Sequence, residues 1–302
     1  MNVTTGATSN EAGTTFERLT DLDKERGAIG DRYWGTQAAA AIGKSVLLVE
    51  GEDDRISVEA ALDKGARPWT STVRVIAMGG RAKVVEVLAT GMLYGHAKLP
   101  QAPARVFGLV DRDVWTDQEV QDQCRKHPNL YVTEGWCLEN SLLFDAQGIL
   151  LPELKSIDFG AWVDGYILAW ALQSTFESNR LKFGKLYGRV QPLRLDWSNA
   201  AQIESLVAPD LPTNPKKLAE ALSPQSVVAL GLRRRAEVGS LGLEDVILKA
   251  IHGKYFLKSN PVRTLLSKYG SDIDKIRLHF APNLRDRPFM QALIQALGLS
   301  SP

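Results

Sequence analysis

Acidic side chains that could bind a metal ion follow three short apolar segments of the chain. Each segment is rich in Val, Ile and Leu, which is typical of a strand buried in a parallel sheet. Ligands bind beyond the carboxyl ends of such strands. The three clusters are Glu50-Gly51-Glu52-Asp53-Asp54 after residues 45–49, Asp111 and Asp113 after residues 104–110, and Glu134 and Glu139 after residues 130–132.

Carboxylates gathered at one edge of a sheet repel one another unless a cation lies between them. Two such charges about 4 Å apart cost roughly 4 kcal/mol at an effective dielectric constant of about 20. A ligand set of oxygen atoms, without His or Cys, favours Mg²⁺ or Mn²⁺. In Asp111-Arg112-Asp113, an extended backbone would direct the first and third side chains to the same side, towards one ion.

The first cluster also fits a structural role. Gly51 permits a sharp turn after the strand, so that Asp54 lies near the start of a helix predicted over residues 56–62. There Asp53 and Asp54 can cap the helix instead of binding a metal. Both interpretations remain open for Asp54.

The hydrophobic pattern predicts the elements that position these residues. Strand-like runs alternate with helical periodicity up to about residue 150, which indicates an α/β fold with a parallel sheet flanked by helices. The rest is mostly helical. Strands are predicted at 45–49, 72–77, 104–110 and 130–132. Helices are predicted at 56–62, 84–93, 118–126, from 138 onwards, 159–176, 200–207, 216–222, 224–236, 243–250, 261–268, 273–280 and 289–297.

The net charge of +1 conceals an unequal distribution. Residues 1–150 contain 16 Lys and Arg and 21 Asp and Glu, a net charge of −5, whereas residues 151–302 contain 20 and 14, a net charge of +6. Chance variation between two solvated surfaces is one reading, and a basic surface for a polyanion is the other. We expect an N-terminal tail and helix (1–43), a metal-binding domain (44–150) and a mostly helical basic domain (151–302).

Several protein classes are excluded. Two cysteines, Cys124 and Cys137, form neither a disulfide scaffold nor the spacing of a zinc site. No apolar run approaches the roughly 18 residues of a membrane span. The N-terminus lacks the pattern of a secretory signal. We therefore expect a cytoplasmic protein that does not interact with a membrane.

The acidic clusters resemble the signature of the TOPRIM domain, a metal-binding α/β fold of topoisomerases, primases and nucleases. That signature has Glu-Gly after the first strand with an acidic residue shortly beyond, a glycine after the second strand, and Asp-x-Asp after the third. Here these are Glu50-Gly51 with Asp54, Gly79-Gly80, and Asp111-Arg112-Asp113. The resemblance covers roughly residues 45–150 and implies a TOPRIM-like sheet.

Two further segments are similar to the AriB family, the TOPRIM-like effectors of PARIS anti-phage systems. They are Trp136-Cys137-Leu138-Glu139-Asn140-Ser141-Leu142-Leu143 and His252-Gly253-Lys254. This resemblance, which extends over most of the chain, implies a Mg²⁺-dependent nuclease that cuts tRNA. It also implies an ABC-type ATPase of the AriA kind as the partner that senses the phage and inhibits the effector.

The resulting hypothesis is phosphodiester hydrolysis by metal-held water. Asp111 and Asp113 would hold one Mg²⁺ or Mn²⁺, with Glu50 as co-ligand or general base. Asp54 and Glu139 would hold a second ion, because two ions stabilise both the attacking and the leaving oxygen.

Cations near these carboxylates would neutralise the charge of the reacting phosphate. The candidates are Lys83, Arg81 and Lys254. The AriB family often has Gly-Gly-Lys after the second strand, where this chain has Gly79-Gly80-Arg81-Ala82-Lys83. Arg81 and Lys83 are therefore alternatives for the cation that faces the site.

Further basic residues in the second half are candidates for contact with phosphates. They are Arg233, Arg234, Arg235 and Lys258. The alternative for the three arginines is a solvated helix face, or ion pairs with Glu237, Glu244 and Asp245.

Two other functions remain open. One is a DNA nuclease of the OLD type that acts with an ATPase, and the other is a TOPRIM regulator that binds a metal or nucleotide without catalysis. The complete set of carboxylates argues against the regulator. The apolar helical half is compatible with a homo-oligomer.

Overall fold

Four parallel strands form the sheet that carries the acidic clusters. The computed structural model describes residues 40–65, 68–93, 97–98, 105–154, 158–178, 192–208 and 223–299. Of the N-terminal tail and helix predicted over 1–43, residues 1–39 lie outside the described residues, as does the helix predicted over 216–222. The strands are β1 Ser45–Val49, β2 Val73–Ala77, β3 Val106–Val110 and β4 Leu130–Val132, in the order β2–β1–β3–β4. The prediction of an α/β fold with a parallel sheet is confirmed.

The chain order reverses on either side of β1, which creates a crevice at the sheet edge. β1 pairs with β2 on one side and with β3 on the other, with Val49 opposite Ala77 and Leu109. Strands β1 and β3 are almost entirely buried, which explains their continuous apolar sequences. Because the crossovers leave β1 in opposite directions, ligands can bind between the carboxyl ends of β1 and β3. Glu50 and Asp111 directly follow these two strands.

Helices surround the sheet and make up most of the second half. Those of the first half are α1 Glu52–Asp63, α2 Arg81–Thr90, α3 Asp117–Lys126, α4 Leu138–Asp145 and α5 Gln147–Leu154. Those of the second half are α6 Phe159–Ser178, α7 Ala200–Val207, α8 Pro224–Gly239, α9 Leu243–Lys249, α10 Gly253–Lys258, α11 Asn260–Leu266, α12 Ile273–Phe280 and α13 Pro288–Ala296. No described helix is both long and apolar enough to cross a bilayer.

Four local features differ from the predicted pattern. The helix predicted over 84–93 ends at Thr90, because Gly91 adopts a left-handed conformation with φ of 68°. The residues beyond it form the short strand Met92–Leu93, which pairs with Ala97–Lys98. Helix α5 was not predicted because it contains Pro152, which is unfavourable inside a helix, and α10 was not predicted because it has only six residues.

The helical half packs directly on the sheet. One cluster of buried side chains extends from Leu47 in β1 through Trp170 in α6 to Leu293 in α13. Helix α1 packs against the 3₁₀ segment Ala281–Asp286, and α4 packs against α9 and α10. The domain boundary near residue 150 stays a prediction, and it does not coincide with a break in this core.

Asn140 connects the start of α4 to the helical half. Its Oδ1 accepts hydrogen bonds from the backbone N–H groups of Cys137 (3.0 Å) and Gly253 (3.1 Å). Its Nδ2 donates to the carbonyls of Ile247 (2.9 Å) and Ile251 (2.8 Å). The side chain is fully buried, so each bond satisfies a group that would otherwise be costly to desolvate. The two segments of the AriB resemblance therefore contact each other.

The same contact requires a glycine at position 253. A Cβ there would lie 2.4 Å from the backbone nitrogen of Asn140 and 2.7 Å from the carbonyl carbon of Glu139. The preceding His252 packs on Trp136, with ring centroids 5.3 Å apart. Burial lowers the pKa of His252 to about 3, so its ring is neutral and serves packing.

We expect Gly253→Ala to lower the free energy of unfolding by about 1–3 kcal/mol, because the backbones of α4 and α10 must separate to admit a methyl group. The matched control is Gly148→Ala in α5, where an added Cβ meets no atom within 4 Å. Urea unfolding of both variants tests this. Equal stability of the two variants would contradict the close approach.

Candidate functional site

Carboxylates converge at the crevice between β1 and β3, and backbone N–H groups hold them. The N–H of Asp111 donates to Oε1 of Glu50 at 2.8 Å, and the N–H of Leu138 donates to Oδ1 of Asp111 at 2.9 Å. The N–H of Gly51 donates to Oδ2 of Asp54 at 2.8 Å. These bonds engage a single oxygen of each carboxylate. Asp54 therefore does cap α1, as the structural interpretation predicted, and also belongs to the acidic cluster.

A glycine turn after β2 fixes the backbone of Glu50. The N–H groups of Gly79 and Gly80 donate to the Glu50 carbonyl at 2.7 and 2.9 Å. Both glycines have positive φ, 76° and 133°, which side chains rarely tolerate. A Cβ on Gly79 would lie 3.5 Å from Nζ of Lys83, so the Lys83 ammonium lies over this turn. The glycines of the TOPRIM resemblance thus position the first carboxylate.

Asp113 lies in a turn rather than in an extended segment. Its φ is +50°, and its N–H donates to the Trp136 carbonyl at 2.7 Å. The extended backbone on which the common direction of Asp111 and Asp113 depended is therefore not present at Asp113. The Asp113 carboxylate forms an ion pair with Arg81 at 3.1 Å, and this guanidinium lies 4.3 Å over the Trp115 ring.

The clustered carboxylates bind protons more strongly than isolated ones. The pKa of Glu50 is raised from 4.5 to about 7, mainly by burial and also by the Asp113 charge. Burial raises the pKa of Asp54 from 3.8 to about 6, with a contribution from the Glu139 charge. The pKa of Asp111 lies well above 3.8 because of burial and the charges of Asp54 and Glu50. A divalent cation would relieve this repulsion.

A cluster of ion pairs lies beside the carboxylates of the crevice, and the helical half supplies its cations. Arg277 of α12, with a side chain only 6% exposed, donates to Oε1 of Glu139 at 2.6 Å. Its other terminal nitrogen lies 3.1 Å from Asp53, which also pairs with Lys254 at 3.4 Å. Partial burial raises the pKa of Asp53, but Arg277 and Lys254 outweigh this effect and lower it.

These pairs bear on the predicted second metal ion. A cation held by Asp54 and Glu139 would share Glu139 with the Arg277 guanidinium, so a second ion there stays a prediction. Glu134, the other acidic residue after β4, forms an ion pair with Arg287 instead. Lys254 pairs with Asp53 at the acidic edge, and its role as a cation of the site stays a prediction.

The three consecutive arginines of α8 have different environments. Arg234 forms an ion pair with Glu237 at 2.9 Å, and Arg233 lies 3.9 Å from the same carboxylate. Arg235 instead lies 4.0 Å from Asp164. The predicted pairing with Glu237 is confirmed. Lys258, at the end of α10, is exposed. Contact of these residues with nucleic acid stays a prediction.

The carboxylates at the crevice lie close enough for their charges to interact, but they do not form a preformed metal site. Within the described ranges, no three Asp, Glu, His or Cys side chains form a group that could hold a metal ion. Glu50, Asp54 and Asp111 each accept a backbone N–H instead. The donor set is entirely oxygen, which matches Mg²⁺ or Mn²⁺ in chemistry.

Sequence reasoning did not identify Arg277 and Trp115 as parts of this region. Arg277 lies more than 130 residues beyond Glu139, and nothing in the local pattern of α12 indicates that one of its cations is buried. No protein-family model, curated protein or solved structure matches the chain.

Ionisation of the acidic cluster is expected to cost stability. Because the folded pKa values of Glu50, Asp54 and Asp111 exceed the unfolded values, their contribution to stability is lost as pH rises from about 4 to about 7. We expect Glu50→Gln, in EDTA, to be more stable than the wild type at pH 8 by on the order of 1–3 kcal/mol. The difference should be smaller at pH 5. Urea unfolding at both pH values measures this, and a difference independent of pH would contradict it.

Removal of the Arg277 guanidinium should destabilise the fold, because it leaves Glu139 buried without its cation. We expect Arg277→Met to cost about 3–5 kcal/mol, and Glu139→Gln in that background to restore most of the loss. Lys275→Met, on the same helix but exposed, is the control and should cost less than about 0.5 kcal/mol. Calorimetric melting distinguishes these outcomes, and a loss equal to that of the control would exclude a buried ion pair.

Proposed function

We propose that the protein hydrolyses phosphodiester bonds of nucleic acid with the help of Mg²⁺ or Mn²⁺, and that tRNA is its substrate. The observation that carries this proposal is the convergence of Glu50 and Asp111 between β1 and β3, with Asp113 close enough for its charge to act on both. Burial and mutual charge raise the pKa of Glu50 and the pKa of Asp111. Charges gathered in this way are costly unless a cation compensates them. The TOPRIM resemblance supports the same conclusion.

The carboxylates would share the binding of the cation. Glu50, Asp111 and Asp113 are the candidate ligands of a first ion, and Asp54, whose charge acts on Asp111, is a further candidate. A bound ion would act as a Lewis acid on a phosphoryl oxygen and would lower the pKa of coordinated water.

Glu50 can also move a proton. Its Oε1 is fixed by the Asp111 N–H, which leaves Oε2 as the proton acceptor. Its pKa of about 7 lies near the pH at which a general base is most effective in the cell. Glu50 as co-ligand and Glu50 as general base remain the two roles for this residue.

Cations of the chain can neutralise the reacting phosphate from two sides. Arg81 is held between Asp113 and the Trp115 ring, so its guanidinium is oriented before the substrate binds. Lys254 is 37% exposed and can transfer its Nζ from Asp53 to a phosphate oxygen. Lys83, over the Gly79 turn, is the third candidate.

The biological part of the proposal depends on the AriB resemblance. It is that the protein acts as the toxic effector of an anti-phage defence system and is restrained by an ABC-type ATPase similar to AriA. A substrate panel of tRNA, plasmid and single-stranded DNA separates this proposal from the OLD-like DNA nuclease.

We expect the purified protein to cleave tRNA in the presence of Mg²⁺, with no cleavage in EDTA. Asp111→Asn should slow cleavage by about 100-fold or more, since it removes a ligand and a charge that compensates the cation. Asp122→Asn, an exposed acid of α3 outside the crevice, should cleave normally. Gel analysis of cleavage rates measures this. Cleavage that persists in EDTA or in Asp111→Asn would contradict the proposal, and cleavage restricted to plasmid would favour the DNA nuclease.

A further inference from the structure

A cavity of about 260 Å³ lies beside Asp113, where the sheet and the helical half meet. Its walls come from the loop after β3, from α6 and from α8. Three tryptophans and three arginines line it: Trp115, Trp136, Trp170, Arg112, Arg233 and Arg234. The lining therefore combines aromatic rings and cations next to a carboxylate of the proposed catalytic site.

We propose that this cavity binds one unpaired nucleotide of the nucleic-acid strand, adjacent to the phosphate that is cut. The inference rests on the proposed function and adds to it a subsite for the substrate. The cavity is slightly smaller than the roughly 300–1,000 Å³ of typical small-molecule sites. It suits a single nucleotide rather than a base pair, which favours a strand whose bases are unstacked.

Trp115 offers a planar surface for a base because its side chain is partly exposed, whereas Trp170 is only 6% exposed and supports the wall. The Arg81 guanidinium lies 4.3 Å over the Trp115 ring, and the Arg234 guanidinium lies 5.2 Å over the Trp170 ring. Such pairs keep the tryptophans and arginines in fixed orientations. Unpaired bases stack on aromatic rings and on guanidinium planes, and this stacking accepts any base.

Arg233 is the cation suited to the phosphate of this nucleotide. Its side chain is 62% exposed, and its ion pair with Glu237 is long, at 3.9 Å. Arg234 already neutralises Glu237 at 2.9 Å and is further held by the Lys249 carbonyl at 2.6 Å. Arg233 can therefore turn to a phosphate without leaving a carboxylate unpaired, whereas Arg234 maintains the wall.

Carboxylates in the same lining favour a nucleotide over a simple anion. Glu237 and Asp117 line the cavity together with the arginines, so the site is not uniformly positive. A ligand with one phosphate and a base that carries amino groups matches this mixture, because carboxylates accept hydrogen bonds from such groups. Arg235, near Asp164 and Trp197, does not belong to this lining.

Binding of a fluorescently labelled single-stranded oligocytidylate RNA, whose bases carry an amino group, to the full chain, measured by anisotropy in EDTA, tests the subsite without cleavage. We expect Arg233→Glu to weaken binding about tenfold or more, and Arg233→Lys to retain most of it. Arg263→Glu makes the same charge change at an exposed site of α11 outside the cavity and should weaken binding less than about threefold. Trp115→Leu should weaken binding at least about fivefold through lost stacking.

If Arg233→Glu and Arg263→Glu weaken RNA binding equally, the subsite is overturned, because the loss of affinity would then follow from the change in net charge alone. Wild-type affinity of Trp115→Leu would overturn it as well, since the base would not stack in the cavity. Melting temperatures of the variants confirm that they fold. The proposed function has its own test, because lack of cleavage with Mg²⁺ would contradict nuclease activity. A loss of binding in EDTA that is specific to the Arg233 variant would still support the nucleotide site.

Discussion

The repulsion among carboxylates at the ends of β1 and β3 is the constraint on which the rest of this structure depends. Glu50 and Asp111 lie there together because each accepts a hydrogen bond from a fixed backbone N–H. The donor to Asp111 is Leu138, the first residue of α4, and Asn140 ties this end of α4 to the backbone around α10. The geometry of the acidic edge therefore depends on the helical half, although all of its carboxylates come from the first half of the chain.

Cations from both halves compensate only part of this charge. Arg81 pairs with Asp113, and Arg277 satisfies the buried Glu139. The carboxylates nearest the crevice keep raised pKa values in spite of these pairs, because burial and mutual charge dominate there. The acidic first half and the basic second half of the chain thus meet at this edge of the sheet. Basic residues of the second half, Lys254 and Arg277, lie at the margin of the acidic edge, where they form ion pairs with Asp53 and Glu139.

Local pattern predicted the parts of the fold that are continuous in sequence. The apolar segment of β1 and the amphipathic segments of α7 and α12 were predicted at their observed bounds. Burial of a strand or of one helix face produces a hydrophobic pattern within a short stretch of the sequence. The carboxylates of the site were predicted because they follow strands. The ion pair between Glu139 and Arg277 was not, since it joins residues distant in sequence and depends on how α12 packs. The turn at Asp113 was also not predicted, because a positive φ at a residue other than glycine has no strong sequence signal.

Calorimetric titration of the full chain with Mn²⁺ at pH 7, in two buffers of different ionisation enthalpy, tests most directly whether the acidic edge is a cation site. Because Glu50 and Asp111 have raised pKa values, binding should displace protons from them, and the measured heat should depend on the buffer. We expect saturable binding with proton release in the wild type and loss of both in Asp111→Asn. Wild-type protein that binds no Mn²⁺, or binding that is unchanged in Asp111→Asn, would contradict this account.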